Sequence, residues 1–419
     1  MKIMYSSLAP AIKVITTMYD KTSAVFVPIF QVLHATALFW VPLVLAGIFM
    51  KVWFNYIRTD FFTNQGYFFM EVKLPREIEK TPLAMEVFLT AIWQKPTSTY
   101  IEAYWLGKVQ PWFSLELVSI GGQVKFFIWG PKKYKNIVES QLYAQYPNVE
   151  IYEAADYTTM ITHDLSKTFM WGCYFKLGGK DVYPIKTYVD YGIDREIVEE
   201  EQKVDPMTAV IEYLGSIKPT DQVWIQILIM GHQSRGIAQG HLFRTKDWTM
   251  EAKKEIAAIR KGAAFGETGF PLMTKGQQDT ILAIERSIGK YAYDTFMRCF
   301  YICPADTLDE AAIPGLIGSV KQYNSNNLNG FKLGWFTDFD YPWMDFRRIR
   351  RTRFEKQMLK AYKMRSAFHI PYRNFHGRPF ILTTEELATI YHFPGSVART
   401  PNLARIESRR SEPPSNLPV

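Results

Sequence analysis

The stretch WFSLELVSIGGQVKFFIWG, residues 112–130, decides how we expect the chain to fold. Apolar side chains alternate along both of its arms, and the adjacent glycines Gly121 and Gly122 separate the arms. Alternation with a period of two is typical of a β-strand, and a glycine pair between two such runs indicates a hairpin. The stretch therefore predicts two antiparallel strands joined by a tight turn.

The segments on either side of the hairpin extend it into a larger unit. Apolar periodicity, together with the prolines that bound it, predicts a strand and a helix before the hairpin and a helix and a strand after it. These segments are YFFMEVKL at 67–74, TPLAMEVFLTAIWQ at 81–94, PKKYKNIVESQLYAQYP at 131–147 and NVEIYEA at 148–154. The order β-α-β-β-α-β predicts a ferredoxin-like α+β domain over residues 62–160. That fold hosts many functions, so it says little about chemistry.

A looser copy of the same order follows over residues 161–343. Its predicted strands are 168–177, 221–232, 293–304 and 330–336, and its predicted helices are 205–217 and 309–324. Residues 248–292 are mostly helical in pattern and interrupt this copy. We therefore expect a second α+β unit that carries a helical insertion.

The N-terminal region contains a long uncharged run. Residues 24–50 carry no Asp, Glu, Lys or Arg, and a helix needs about 20 apolar residues to cross a bilayer core. We place a transmembrane helix near 33–55, within an anchor over 23–57 that follows a short N-terminal segment, 1–22. One alternative is a cleaved signal peptide, which the large residues after the run disfavour. Another is a buried helix of a soluble protein.

The side of the membrane is indicated by charge and by cysteine content. Lysines and arginines flank the uncharged run, and their balance favours a body that lies in the cytoplasm. The chain has three cysteines, and Cys299 and Cys303 form no CxxC pair, which fits reduced thiols. We therefore expect a single-span protein of the inner, cytoplasmic membrane.

The positive charge of the chain is concentrated near its C-terminus. Residues 345–419 hold 15 Lys and Arg against 6 Asp and Glu, in a chain whose formal net charge is +8. MDFRRIRRTRFEKQMLKAYKMRSAF, residues 344–368, predicts a basic helix with an apolar stripe at Phe354, Met358 and Tyr362. The candidate residues for an anionic partner are Arg347, Arg348, Arg350, Arg351 and Arg353.

Three interpretations of this basic helix stay open. It is a solvated face that packs on the body through its apolar stripe. It is a surface for nucleic acid or for the phosphates of anionic lipid. Or it is a docking site for an acidic protein.

Motifs of familiar catalytic chemistry are missing from the sequence. There is no phosphate-binding loop GxxxxGK[ST], no GxSxG, no HExxH and no GxGxxG. His369, His376 and His392 have spacings that fit no metal site. We therefore expect no catalytic residue, no cofactor and no metal ion. The alternative is an enzyme with a site in GHQSRGIAQGHLFR, residues 231–244, which contains two histidines.

The C-terminal run RSAFHIPYRNFHGRPFILTTEELATIYHFPG, with the later TPNLARIESRRSEPPSNLP, resembles a segment of predicted bacterial conjugal-transfer, type IV secretion-like ATPases of the HerA/FtsK/TraG class. In that class an EELATxxHxP segment and a PPxNLP segment lie just before the ATPase core. The matching residues here are Glu385, Glu386, Leu387, Ala388, Thr389, His392 and Pro394, then Pro413, Pro414, Asn416, Leu417 and Pro418. The specific similarity covers residues 365–419, and a looser one covers 67–365.

The resemblance implies an anchoring and docking half without the motor itself. We expect a non-catalytic accessory subunit that associates with a separate translocation ATPase through residues 366–419. Within the C-terminal region, residues 344–394 form the basic helix and a docking strand and helix, and residues 395–419 form a flexible Pro- and Arg-rich tail. The candidate docking residues are Glu385, Glu386, Leu387, His392, Phe393 and Pro394. The alternative function is a membrane-tethered nucleic-acid-binding protein that uses the basic helix.

Overall fold

The fold is taken from a computed structural model. The structure describes residues 27–28, 30–75, 80–95, 98–161, 168–194, 204–233, 247–262, 264–265, 271–339, 341–371, 377–395 and 405–406. The chain divides into two compact units, Met1–Thr59 and Asp60–Val419. The N-terminal segment 1–22, most of the loop 231–244 and most of the tail 395–419 lie outside the described residues. What the sequence predicts for those three regions stays a prediction.

Helix α1, Ala37–Gln65, confirms that residues 37–50 of the uncharged run are helical. Its 29 residues extend for about 43 Å, which exceeds the roughly 30 Å of a bilayer core. An 18-residue window in it has a mean hydropathy of 1.9, and none of that window is buried. Among the described residues, α1 is the one helix that is long and apolar enough to cross a membrane.

The second unit is mixed α+β, as predicted. Its strands are β1 Tyr67–Pro75, β2 Phe113–Ile120, β3 Gln123–Pro131, β4 Glu150–Glu153, β5 Thr168–Leu177, β6 Gln222–Gly231, β7 Ala264–Phe265, β8 Pro271–Leu272, β9 Ala292–Pro304, β10 Phe331–Phe336, β11 Phe380–Thr383 and β12 Arg405–Ile406. Its helices are α2 Pro82–Ile92, α3 Tyr100–Tyr104, α4 Lys135–Gln145, α5 Pro206–Ser216, α6 Trp248–Gly262, α7 Lys275–Ile288, α8 Ala312–Val320, α9 Ile349–Lys363 and α10 Thr384–Ile390.

The main sheet has ten strands and two halves with the same internal order. One half contains β4, β1, β3 and β2 side by side, and the other contains β10, β5, β9 and β6, all antiparallel to their neighbours. The halves meet where β6 pairs with β2 along the whole of β2, a junction that we call the seam. The two α+β units predicted from the sequence therefore share one sheet instead of forming two.

The hairpin between β2 and β3 forms where the glycine pair predicts it. Gly121 and Gly122 have φ angles of 59° and 85°. Two successive positive φ angles belong to the type I′ turn, whose twist matches that of the flanking strands. A Cβ atom on Gly121 would also lie 2.7 Å from the carbonyl oxygen of Pro219, so the turn needs glycine there for space as well.

Helices cover both faces of the sheet. Helices α2, α4, α5, α8 and α10 bury their apolar residues in the larger core cluster on one face. Helix α9 buries Met358, Leu359 and Tyr362 in the cluster on the other face, which also contains Phe62 from the end of α1. Helices α6 and α7, which form the predicted insertion, pack around a third and smaller cluster.

The C-terminal region reaches both faces of the seam. On one face, Tyr362 of α9 packs against Trp224 of β6, and its hydroxyl lies 2.9 Å from that of Tyr157. On the other face, α10 packs against α2 of the first half and α5 of the second. Strand β11 adds to β9, and β12 runs parallel to β1 at the other end of the sheet. The last elements of the chain therefore hold the two halves together.

Candidate binding surface and buried polar sites

Three polar side chains form a ladder across the seam. Glu116 of β2, Gln226 of β6 and Arg298 of β9 are register neighbours on adjacent strands, and all three are fully buried. Gln226 Nε2 donates to Glu116 Oε1 at 2.7 Å, and Arg298 Nε donates to Gln226 Oε1 at 2.6 Å. Buried polar groups cost free energy unless they are paired, so this ladder favours one register of the seam.

Arg365, which follows α9, completes the ladder. Its Nε donates to Glu116 Oε1 at 2.8 Å and its Nη1 donates to Asp156 Oδ2 at 2.7 Å. Burial alone would lower the pKa of Arg365, but the two carboxylates outweigh burial and raise that pKa. Burial would raise the pKa of Asp156, but hydrogen bonds from Arg365 lower it. The result is a charged, buried network that fixes the end of α9 on the sheet.

The six predicted docking residues all lie inside the chain. They are Glu385, Glu386, Leu387, His392 and Phe393, each at most 3% exposed, and the buried Pro394. Their side chains are therefore not presented to a partner in this structure. A docking role for them stays a prediction that has no support from their position.

Glu385 ties α10 to two other helices. Its Oε1 lies 3.0 Å from Arg286 Nε of α7, and its Oε2 lies 2.9 Å from Lys290 Nζ. Lys290 Nζ also lies 2.7 Å from Oε1 of Glu86, a residue of α2. Thr187 donates its hydroxyl hydrogen to Glu385 Oε1 at 2.5 Å. These ion pairs join the C-terminal helix to elements of both halves.

Glu386 caps the start of α10 and accepts a further backbone bond. Its Oε2 accepts from the backbone N of Thr383 at 2.8 Å, while the Thr383 side chain accepts from the backbone N of Glu386. This reciprocal pair is a capping box. Glu386 Oε1 accepts from the backbone N of Ile185 at 2.9 Å. Burial raises the pKa of Glu386 to about 7.

His392 forms a buried ion pair at the end of the same segment. Its Nε2 lies 3.0 Å from Asp205 Oδ2, and its Nδ1 lies 2.8 Å from the carbonyl oxygen of Ala388. Burial alone would lower the pKa of His392, but the Asp205 carboxylate outweighs burial and raises that pKa. Both ring nitrogens face oxygen acceptors, an arrangement that favours the protonated ring, and Asp205 also caps α5.

Stability should fall as pH rises through neutrality. The folded form holds a proton on Glu386 up to about pH 7, whereas the ordinary pKa of that carboxyl is 4.5. His392 likewise binds its proton more tightly in the folded form than at the ordinary value of 6.5. Raised pKa values stabilise the protonated fold, so the contribution of Glu386 is lost between pH 4.5 and about 7, and that of His392 from pH 6.5 upward.

The pH dependence can be measured as the midpoint of thermal unfolding (Tm) from pH 5 to pH 8 in detergent. Glu386→Gln and His392→Gln should each flatten the decline of Tm, because each removes one group that loses its proton. A decline that both variants leave unchanged would contradict this assignment.

The loop proposed as an enzyme site is described only at its start. His232 Nδ1 lies 2.7 Å from Asp294 Oδ1, and no hydrogen-bond partner of the buried His232 Nε2 is found in the described part of the chain. The sequence did not reveal Asp294 as the partner acid, because it lies 62 residues away. Ser234, Arg235 and His241 lie outside the described residues, so an enzyme at this loop stays a prediction.

An aromatic cavity of about 320 Å³ lies beside the Arg365 network. Its walls include Tyr67, Trp112, Trp129 and His369, with Asp156 and Arg365 on one side. Asp156 and Arg365 are already paired with each other, so neither presents an unpaired charge to a ligand in this cavity. Within the described ranges, no group of three His, Cys, Asp or Glu side chains could hold a metal ion. His369 lies in the cavity wall, and His376 is outside those ranges.

The five predicted arginines separate into one that is partly buried and four that are exposed. Arg351 Nε donates to Glu355 Oε1 at 2.8 Å, and its guanidinium lies over the ring of Phe169. The exposed ones are Arg347, Arg348, Arg350 and Arg353. The predicted helix is shorter than expected, because Arg347 and Arg348 have φ angles of 56° and 57° and the α-helix begins only at Ile349.

Large exposed apolar side chains lie next to these exposed arginines in the sequence. They are Tyr341, Trp343, Met344, Phe346 and Ile349, each at least 45% exposed. Together with Arg347, Arg348, Arg350 and Arg353 they form what we call the aromatic–basic surface. The sequence did not lead us to predict the apolar half of this surface, although five bulky apolar residues among the nine positions 341–349 of a basic part of the chain are a visible signal.

Comparison with known proteins gives a family but no activity. A family model described as "Domain of unknown function (DUF8128)" matches residues 69–405, which is most of the chain. The chain therefore belongs to that family. No curated protein matches it.

Proposed function

We propose that this member of the DUF8128 family is a non-catalytic, membrane-anchored accessory subunit that docks a separate DNA- or protein-translocating ATPase of a conjugation or type IV secretion-like system. Helix α1 would anchor it in the inner membrane, with the body in the cytoplasm. The proposal starts from the resemblance of residues 365–419 to the segment that precedes the ATPase core in the HerA/FtsK/TraG class.

One observation carries this proposal. The segment that resembles the approach to the motor, α10 and the residues after it, is held in the core by ion pairs from Glu385 and His392. Breaking a buried ion pair by removing one partner costs about 3–5 kcal/mol, so such a segment resists displacement. A motor attached just beyond it would be held at a fixed place on an anchored body.

We propose that docking uses the last part of the segment 366–419. Residues 385–394 are internal, whereas β12 runs along β1 at an end of the main sheet. Residues 407–419, which include the PPxNLP match, follow β12 directly. We therefore assign docking to residues 407–419 and treat α10 as their support.

The polar side chains predicted as docking residues are paired with other groups of this chain. This pairing supports a structural role for them, which is the role expected in a non-catalytic subunit. Glu385, Glu386 and His392 are hydrogen-bonded or ion-paired within the chain. Arg365 and Glu116 are paired in the same way on the opposite face of the sheet. We also propose that each half of the sheet is a ferredoxin-like unit, because a 4-1-3-2 order with intervening helices characterises a βαββαβ unit.

Deleting residues 407–419 should abolish recovery of the ATPase with the tagged chain from detergent-solubilised native membranes. The deletion removes no described element, and Tm of the deleted chain, measured in parallel, separates a loss of docking from a loss of fold. The substitutions Pro413→Ala, Pro414→Ala and Leu417→Ala, combined, should have the same effect at full chain length. Undiminished recovery of the ATPase with both variants would contradict docking through this segment.

A further inference from the structure

The aromatic–basic surface exposes apolar side chains to an unusual extent. Trp343 is 78% exposed, Phe346 73% and Ile349 64%. Tyr341 and Trp343 stack on each other at 4.7 Å, so neither ring is folded into the core. Single exposed apolar residues are ordinary, but five of them within nine consecutive positions mark a surface that is covered in use.

The exposed charge on this surface is positive. The sequence of residues 341–354 contains one acidic residue, Asp345. Its two carboxylate oxygens accept hydrogen bonds from the backbone N atoms of Arg350 and Arg351 at 2.7 and 2.8 Å. Its negative charge therefore interacts with the positive N-terminal end of the α9 helix dipole and with the unpaired backbone N–H groups there. Glu355, the next acid along, is buried against Arg351. The other nearby carboxylate, Asp338, lies 3.0 Å from Arg351 Nη1. Within the described residues 341–355, no ion pair holds a carboxylate against Arg347, Arg348, Arg350 or Arg353.

The local backbone keeps aromatic and basic groups together. Arg347 lies over the ring of Phe346 at 5.2 Å, and Arg350 lies over the ring of Phe339 at 4.9 Å. Arg347 and Arg348 both adopt the left-handed conformation, which is strained for residues other than glycine. Strain of this kind persists where the conformation serves a purpose, here the turn in which Arg347 lies over the ring of Phe346.

The chemistry of the surface distinguishes between two anionic partners. Arginines and stacked aromatic rings would suit either a nucleic acid or a bilayer interface. Ile349 and Met344 add apolar bulk, which gains little from a phosphate backbone and much from the boundary between headgroups and acyl chains. The chain also carries α1, so a bilayer is the surface that its anchor would supply.

We propose that the aromatic–basic surface is a second membrane contact, in which Trp343, Phe346 and Ile349 enter the interface of an anionic phospholipid bilayer while the arginines bind lipid phosphates. This contact would fix the orientation of the body on the membrane. It does not depend on the proposed docking of an ATPase, since it uses other residues.

The test uses the full-length chain with a fluorophore on Phe346→Cys. The native thiols of Cys173, Cys299 and Cys303 are buried, so the new cysteine is the accessible one among the described residues. An environment-sensitive fluorescent label is attached to this cysteine, and the protein is reconstituted in nanodiscs. The phospholipids of the discs carry bromine on their acyl chains, and bromine quenches the label on contact. One set contains phosphatidylglycerol and phosphatidylcholine, and the other phosphatidylcholine alone. Ala258→Cys on the exposed face of α6 is the matched control site.

We expect the label at position 346 to shift to the blue and to be quenched in anionic discs, and the label at position 258 to do neither. A basic residue near an anionic surface contributes about 1 kcal/mol. Arg347→Gln or Arg353→Gln should therefore each lower the ratio of quenched to unquenched label at position 346 in anionic discs about five-fold. Both side chains are exposed, so Tm should not change.

Three outcomes would overturn the proposal. The first is a label at 346 that stays in water in both kinds of disc. The second is equal quenching with and without phosphatidylglycerol, which would exclude recognition of anionic lipid. The third is protection of position 346 only when DNA is added, which would make the surface a nucleic-acid site. Retained or lost binding of an ATPase in the same preparations bears on the docking proposal alone.

Discussion

Glu116→Gln should lower the free energy of unfolding by about 3–5 kcal/mol, because it removes one charge of a fully buried network. Glu116 accepts hydrogen bonds from Gln226, Arg365 and the hydroxyl of Tyr157. Without its charge, Arg365 keeps only Asp156 as a counter-ion in a site where Arg365 is 2% exposed. Chemical denaturation in detergent, followed by tryptophan fluorescence, measures the change.

The matched control is Glu285→Gln. Glu285 pairs with Arg260 at 3.0 Å, but both side chains are about half exposed. Surface ion pairs contribute about 0–1 kcal/mol, so this variant should be close to wild type. Equal effects of the two substitutions would show that the ladder at the seam does not stabilise the fold.

Leu387→Ala should destabilise the protein by about 2–5 kcal/mol, the usual cost of a large-to-small change in a core. Leu387 is fully buried in the core cluster of the face on which α10 packs against α2 and α5. The sequence resemblance placed this residue in a docking segment, so the two interpretations predict different outcomes. A structural role predicts lower stability, and a docking role predicts lost partner binding at unchanged stability.

Ile349→Ala is the control for Leu387→Ala, because Ile349 is also aliphatic but 64% exposed. Surface substitutions of this kind are usually within about 0.5 kcal/mol of neutral. If Leu387→Ala unfolded at the same denaturant concentration as Ile349→Ala, the assignment of α10 to the core would be wrong.

The sequence could predict those parts of the fold that local patterns encode. The alternation in residues 112–130 and the pair Gly121-Gly122 predict the hairpin, and the structure confirms it. The α+β class and a helix able to cross a bilayer are confirmed as well. These features depend on neighbours within a few residues, where periodicity and turn chemistry act.

The seam could not be predicted in this way. It pairs β2 with β6, about a hundred residues apart, and either strand would look the same if it lay at the edge of a separate sheet. Glu116 in FSLELVSI and Arg298 in AYDTFMRCFYICP did carry a signal, since each is a charge within a largely apolar strand. That signal indicates a buried partner but does not identify it.

The candidate sites were harder to predict than the fold, because the sequence does not show whether a charged side chain is exposed or forms a buried ion pair. Glu385 and Glu386 read as an acidic first turn of a helix, and only tertiary structure places them beside Lys290 and the backbone of Ile185. The basic helix shows the same problem. Arg365 is buried and Arg351 is partly buried, while Arg353, only two positions from Arg351, is exposed.

Affinity purification of the full-length chain from its native membrane, followed by mass spectrometry, tests the proposed function most directly. The account predicts that an ATPase with a GxxxxGK[ST] loop co-purifies, and that it is lost when residues 407–419 are deleted. Recovery of the chain alone, or only with nucleic acid that survives moderate salt, would contradict an accessory subunit that docks a translocation motor.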